Sequence, residues 1–95
     1  MAILGTFFKQ PRDRLSLDLD FSKWLQGMGG DTIVSAVSEV DNTDLVIDLP
    51  LPMSTYVQQW YSGGKDGEKY KITVVATTAQ GRIKEVDFYV QVRNL

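Results

Sequence analysis

Polar and apolar residues alternate along most of this chain. In Leu15-Ser-Leu-Asp-Leu-Asp-Phe21, Leu15, Leu17, Leu19 and Phe21 fall on one face of an extended strand, and Ser16, Asp18 and Asp20 fall on the other. Asp31 and Thr32 lead into a second strand, 33–40, in which Val34, Ala36 and Val40 share a face, and Asp41-Asn42 marks the turn that closes it. The run 45–49 is short, β-branched and cut off by Pro50 and Pro52. That suits a sheet edge or a crossing between sheets, with Leu45, Ile47 and Leu49 inward. Residues 55–61 are rich in strand formers, but their inward face is ambiguous because Val57 and Tyr61 alternate with Tyr56 and Trp60. The clearest pattern comes last: Tyr70, Ile72, Val74 and Ala76 face Val86, Phe88, Val90 and Val92 across a hairpin that turns at Ala79-Gln80-Gly81. No window sustains a 3.6-residue period, and no repeat of solenoid length appears.

Six or seven antiparallel strands with closely spaced turns predict an all-β fold. Within it, Asp66-Gly67-Glu68-Lys69-Tyr70 places a tyrosine just after a glycine turn, at the start of the penultimate strand. This resembles the tyrosine corner of immunoglobulin-like sandwiches, where the phenol bonds back to nearby backbone. Tyr70 is read as that corner, in preference to a plain inward aromatic at a strand start. The expected architecture is an immunoglobulin-like antiparallel β-sandwich over residues 15–95 with an extended N-terminal arm over 1–14. The arm carries Ile3, Leu4, Phe7 and Phe8, then Pro11 and the charges Lys9, Arg12, Asp13 and Arg14, without a clear period. Two phenylalanines in a free tail would be an aggregation hazard. The arm therefore either packs back as an extra edge strand or docks, extended, on a partner chain through Ile3, Leu4, Phe7 and Phe8.

A length of 95 residues leaves room for one domain and one modest core, and 43% hydrophobic with 23% charged residues fits a folded chain. Ten basic against twelve acidic side chains, with no block of Lys or Arg, argue against a nucleic-acid partner. The chain has no Cys and no His, which removes thiol nucleophiles, disulfides, Cys/His zinc sites, imidazole acid–base catalysis and Ser-His-Asp triads together. No catalytic residue, cofactor or metal site is expected. The opening segment lacks a basic n-region and meets Lys9, Gln10 and Pro11 early, so neither a signal sequence nor a membrane span is expected, and folding in a cytoplasm is the default.

The remaining candidates are weak as chemistry. Asp18, Asp20, Asp31, Asp41, Asp44 and Asp48 match no EF-hand spacing and suit solvated strand edges. Gly27-Met28-Gly29-Gly30 and Ser62-Gly63-Gly64 lack the Lys-Ser/Thr that follows a phosphate-cradling loop. Trp24, Tyr56, Trp60 and Tyr61 could stack on sugars, although core and inter-sheet packing, with Trp24 covering one open end of the sandwich, is the simpler use.

Two segments carry a family resemblance: Gln10-Pro-Arg-Asp-Arg-Leu-Ser-Leu-Asp-Leu-Asp-Phe-Ser-Lys-Trp-Leu25 and the stretch from Trp60 to Arg82. The sharpest elements are the spacing Ser62-Gly63-Gly64, Asp66-Gly67, Tyr70 and the run Thr77-Thr-Ala-Gln-Gly-Arg82. Together they resemble the fiber-tail adaptor proteins of tailed phages and prophages, small virion proteins with one immunoglobulin-like domain and an N-terminal extension. The resemblance implies a non-enzymatic virion protein at the tail or neck, made in the host cytoplasm. It would be present in several copies around the tail axis and would connect tail fibers to the tail tube or a portal-proximal adaptor ring. The alternative is a free-standing carbohydrate- or protein-binding β-sandwich module using Trp24, Trp60 and Tyr61.

Overall fold

Strands that bury one side chain in two must cover that face, and here two sheets do so for each other. The computed structural model describes residues 2–94, with side chains from Leu4 onward. In chain order the elements are β1 (Ala2–Lys9), β2 (Leu15–Asp20), α1 (Ser22–Gly27), β3 (Ile33–Val40), β4 (Leu45–Ile47), β5 (Leu51–Pro52), β6 (Tyr56–Gly63), β7 (Lys69–Thr78) and β8 (Ile83–Val92). The first sheet runs β1-β8-β7-β3 and the second β2-β6-β4, with β5 also paired to β6. Between them Val57 and Tyr61 of β6 and Leu19 of β2 meet Ile72, Val74, Phe88 and Val90, all 4% exposed or less. Tyr61 and Phe88 pack with ring centroids 6.0 Å apart.

Two sets of contacts close the ends of the sandwich. At one end Asp31, on the loop before β3, accepts the Thr32 N–H at 2.9 Å and the Arg82 guanidinium at 2.8 Å. The Ala79 N–H donates to the Thr32 carbonyl at 2.9 Å, so the β7–β8 turn is tied to the start of β3. Trp24 of α1 lies edge-on to Phe21 at 6.4 Å and under the Lys84 ammonium at 5.8 Å, which covers this end. At the other end Gly64, with φ +88°, lets the chain pass so closely that a Cβ there would sit 2.7 Å from Val92 Cγ2 and 3.1 Å from Tyr70 Cε2. Tyr70 is 1% exposed, and its hydroxyl accepts the Lys65 N–H at 2.9 Å. The Gly63-Gly64 to Tyr70 spacing and the run 77–82 are thus a packing requirement and a hydrogen-bonded turn, one at each end.

The structure departs from the alternation reading at four places. Residues 2–9 form β1, an edge strand as in one of the two readings of the arm, but β1 pairs with β8 in parallel rather than antiparallel. The turn at 10–14 sends β2 into the other sheet, so β1 and β8 meet without a hairpin between them. Val34 points outward at 56% exposure because the β3–β7 register shifts between Ile33 and Ser35, which puts Ile33, not Val34, in the core. Leu49 is 86% exposed, since β4 ends at Ile47 and Pro50 prevents its continuation. Residues 22–27 form a helix too short to register as a 3.6 period. The ambiguous face of β6 resolves as Val57, Gln59 and Tyr61 inward, with Tyr56 and Trp60 outward.

Gly64→Ala forces both strain at positive φ and overlap with Val92, and is expected to destabilise the domain by about 2–3 kcal/mol. Tyr70→Phe keeps the ring and removes one hydrogen bond, and is expected to cost about 1 kcal/mol. Chemical denaturation of both variants measures this, and a Gly64→Ala protein as stable as the parent contradicts the packing described.

Candidate functional site

β1 ends the first sheet, so its outer backbone edge is unpaired among the described residues. Its side chains divide cleanly. Phe7 and Lys9 turn inward, while Leu4 (48% exposed) and Phe8 (56% exposed) turn out with Thr6 between them. Phe7 packs edge-on against Phe88 with centroids 6.0 Å apart, as part of the core layer. The register shift between Ile3 and Thr6 coincides with Gly5 at φ +136°, a bulge that a side chain would strain. The four expected docking residues therefore do not act as a set. Leu4 and Phe8 share an exposed face, Phe7 is inside, and the Ile3 side chain lies outside the described residues.

The carboxyl end of β1 is anchored by Lys9, which is 3% exposed. Its ammonium donates to the carbonyls of Gly63 at 2.6 Å, Gln10 at 2.7 Å and Pro11 at 3.2 Å. One side chain so links the edge of the first sheet to the last residue of β6 in the second. Burial lowers the Lys9 pKa below its usual 10.5, and the nearby Asp13 charge pushes it back only in part. On the chain's return, the Arg93 N–H donates to the Lys9 carbonyl at 2.8 Å, and the Arg93 guanidinium lies 5.1 Å from the Phe8 ring centre. Phe8, Gln10, Asp13 and Arg93 line a shallow open cleft there. Beside the opening of β1, Asp87 of β8 is 1% exposed and takes the Thr73 hydroxyl at 2.7 Å, with its second oxygen unpartnered among the described residues.

Other candidates are scattered. Tyr61 is buried in the core, where desolvation raises its phenol pKa above 10. Trp60 faces outward from β6 beneath the Arg14 guanidinium, 4.4 Å from its ring centre, and its indole N–H donates to Gln58. Trp24 sits at the Asp31 end, so Trp24, Trp60 and Tyr61 form no common platform. The Asp20 carboxyl accepts the Ser22 N–H, which holds it below the ordinary range. Gly29 and Gly30 form the turn after α1. Sequence reasoning missed Lys9 as an anchor and Asp87 as a buried acid. The signal for Lys9 was its phase, two residues after an inward phenylalanine.

The family model described as podophage GP4 fiber-tail adaptor protein gp77 matches residues 9–91. The match spans both end-closing motifs and begins at Lys9, just past the exposed face of β1. No curated protein matches the chain.

Because the folded pKa of Lys9 lies below 10.5, the unfolded chain binds more protons in the interval between the two values, and the Lys9 contribution to stability rises with pH across it. Lys9→Met is expected to abolish that rise. It is also expected to cost about 2 kcal/mol at pH 7, since three carbonyls lose a charged donor. Denaturation between pH 7 and 10 measures both, and an unchanged pH profile contradicts the anchoring described.

Proposed function

The chain belongs to the podophage fiber-tail adaptor family, and from that premise we propose that it joins tail fibers to the tail tube or its adaptor ring, with β1 as one docking edge. A structural role in the phage tail, in contact with other virion proteins such as fibers, follows from the family itself. The observation that carries the finer reading is the outward pair Leu4 and Phe8 on a strand whose backbone edge is open. An extended segment of a neighbouring virion protein can add to that edge by main-chain hydrogen bonds, while Leu4 and Phe8 supply apolar contact. Burying the still exposed half of each side chain contributes about 1.5–3 kcal/mol before ordering costs, a modest affinity for a single copy. Several copies around the tail axis would multiply it through effective concentration. Phe7 and Lys9 serve this reading indirectly, because they hold β1 rigid so that the partner meets a preformed edge. The role is mechanical and non-enzymatic, carried out in the virion after synthesis in the host cytoplasm. Nothing in the separate placements of Trp24, Trp60 and Tyr61 favours a sugar-binding module.

Leu4→Asp and Phe8→Asp, each on the outer face, are expected to unfold within about 0.5 kcal/mol of the parent. The double variant is expected to be lost from purified particles by at least tenfold, as read by quantitative mass spectrometry. Phe7→Asp places a charge in the core and is expected to unfold the domain. A double variant that folds and joins particles at the parental level would show that β1 is not a docking edge.

A further inference from the structure

A second apolar strip, unlike the β1 edge, lies between β4 and β6. Val46 is 54% exposed, Leu49 86%, Leu51 46% and Met53 40%. Val46 stands opposite Ser62 and Leu51 opposite Gln58, which puts both on the outer face of the second sheet. Pro50 and Pro52 have no N–H to offer, so this edge resists strand addition, and contact here falls to side chains. Four large apolar groups left in water within eight residues exceed the scattered exposure that a surface ordinarily shows.

The segment that carries the strip is acidic. No Lys or Arg occurs between Lys23 and Lys65, whereas Asp44 and Asp48 bracket Val46 and Asp41 precedes them after β3, where it accepts the Lys71 N–H. The cations that reach these carboxylates come from other segments and are themselves exposed. Lys65 lies 3.4 Å from Asp44 with 73% of its side chain in solvent, and Arg14 contacts Asp48. Exposed pairs of this kind are weak, so cations on a partner can replace them at little cost. An acidic border also repels nucleic-acid phosphates and anionic lipid headgroups.

We propose that residues 46–53 form a second docking surface, for a protein partner that offers an apolar socket bordered by lysines. The proposal rests on the connector reading and supplies its other end. The β1 edge receives one virion protein by strand pairing, and Leu49 with its neighbours inserts into another. Two surfaces of different character let one small domain hold two different proteins without competition between them.

The test uses intact particles carrying the unmodified chain, treated with a carbodiimide that joins carboxylates directly to lysine amines in contact. Mass spectrometry of the joined peptides is expected to show Asp41, Asp44 or Asp48 linked to a lysine of a different virion protein, in a segment that also carries apolar residues. The internal Asp44–Lys65 link reports that the reagent reached the site. Leu49→Asp is expected to reduce the intermolecular link at least tenfold while the isolated domain stays folded. Only the internal link, a link to a second copy of this chain, or an intermolecular link unaffected by Leu49→Asp would overturn the proposal and leave the connector reading standing. Absence of the chain from the particles would overturn both.

Discussion

Two sheets of a small sandwich stay registered only if something fixes them at the ends, and in this protein that constraint is concentrated around Gly63 and Gly64. The backbone there passes so close to Val92, Tyr70 and Leu45 that no side chain fits. The closeness brings the Lys65 N–H to the Tyr70 hydroxyl and the Gly63 carbonyl to the Lys9 ammonium. Tyr70 belongs to β7, Lys9 to β1 and Gly63 to β6, so one tight turn couples three strands across the interior. A chain of this size with no disulfide depends on such coupling, because its core alone has little surplus stability.

The placement of β1 follows from that coupling. A parallel edge strand with a bulge at Gly5 is a weak addition to a sheet. Phe7 on Phe88 and the buried Lys9 ammonium supply what the backbone pairing lacks. Once those two side chains face inward, the two-residue period turns Phe8 to solvent, and Leu4, on the other side of the Gly5 bulge, is exposed as well. The exposure of Phe8 is thus a geometric consequence of the anchored pair, and the open edge follows from β1 ending the sheet. Function on this account comes from which side chains the fold is unable to cover.

Much of the fold was legible in the sequence. The β7–β8 hairpin reads directly from its alternation, with Tyr70 opposite Val90 and Ile72 opposite Phe88, because both faces of the pattern are uninterrupted. Tyr70 was legible from its place just after the Gly67 turn, at the start of that alternation. β1 was not, since Gly5 breaks its phase and its partner β8 lies at the far end of the chain; short-range pattern carries no information about a parallel pairing. Val34 and Leu49 were misplaced by a register shift and a proline, each of which changes direction within one residue. The inward Gln59 escaped notice because its amide N–H groups donate to the carbonyls of Asp48 and Trp60, partners that only the fold provides. As to the site, the N-terminal apolar residues were visible as a group. Which of them would face out depended on Lys9, whose carbonyl partners include one 54 residues away.

Native-state hydrogen exchange of the β1 amides tests the account most directly. If Phe7 and Lys9 fix the strand in the sheet, alternate amides within residues 6–9 exchange through the same global opening as those of β7 and β8, with comparable protection. If those amides exchange at unfolded-chain rates while β7 and β8 remain protected, β1 is a free arm, and the preformed docking edge does not exist.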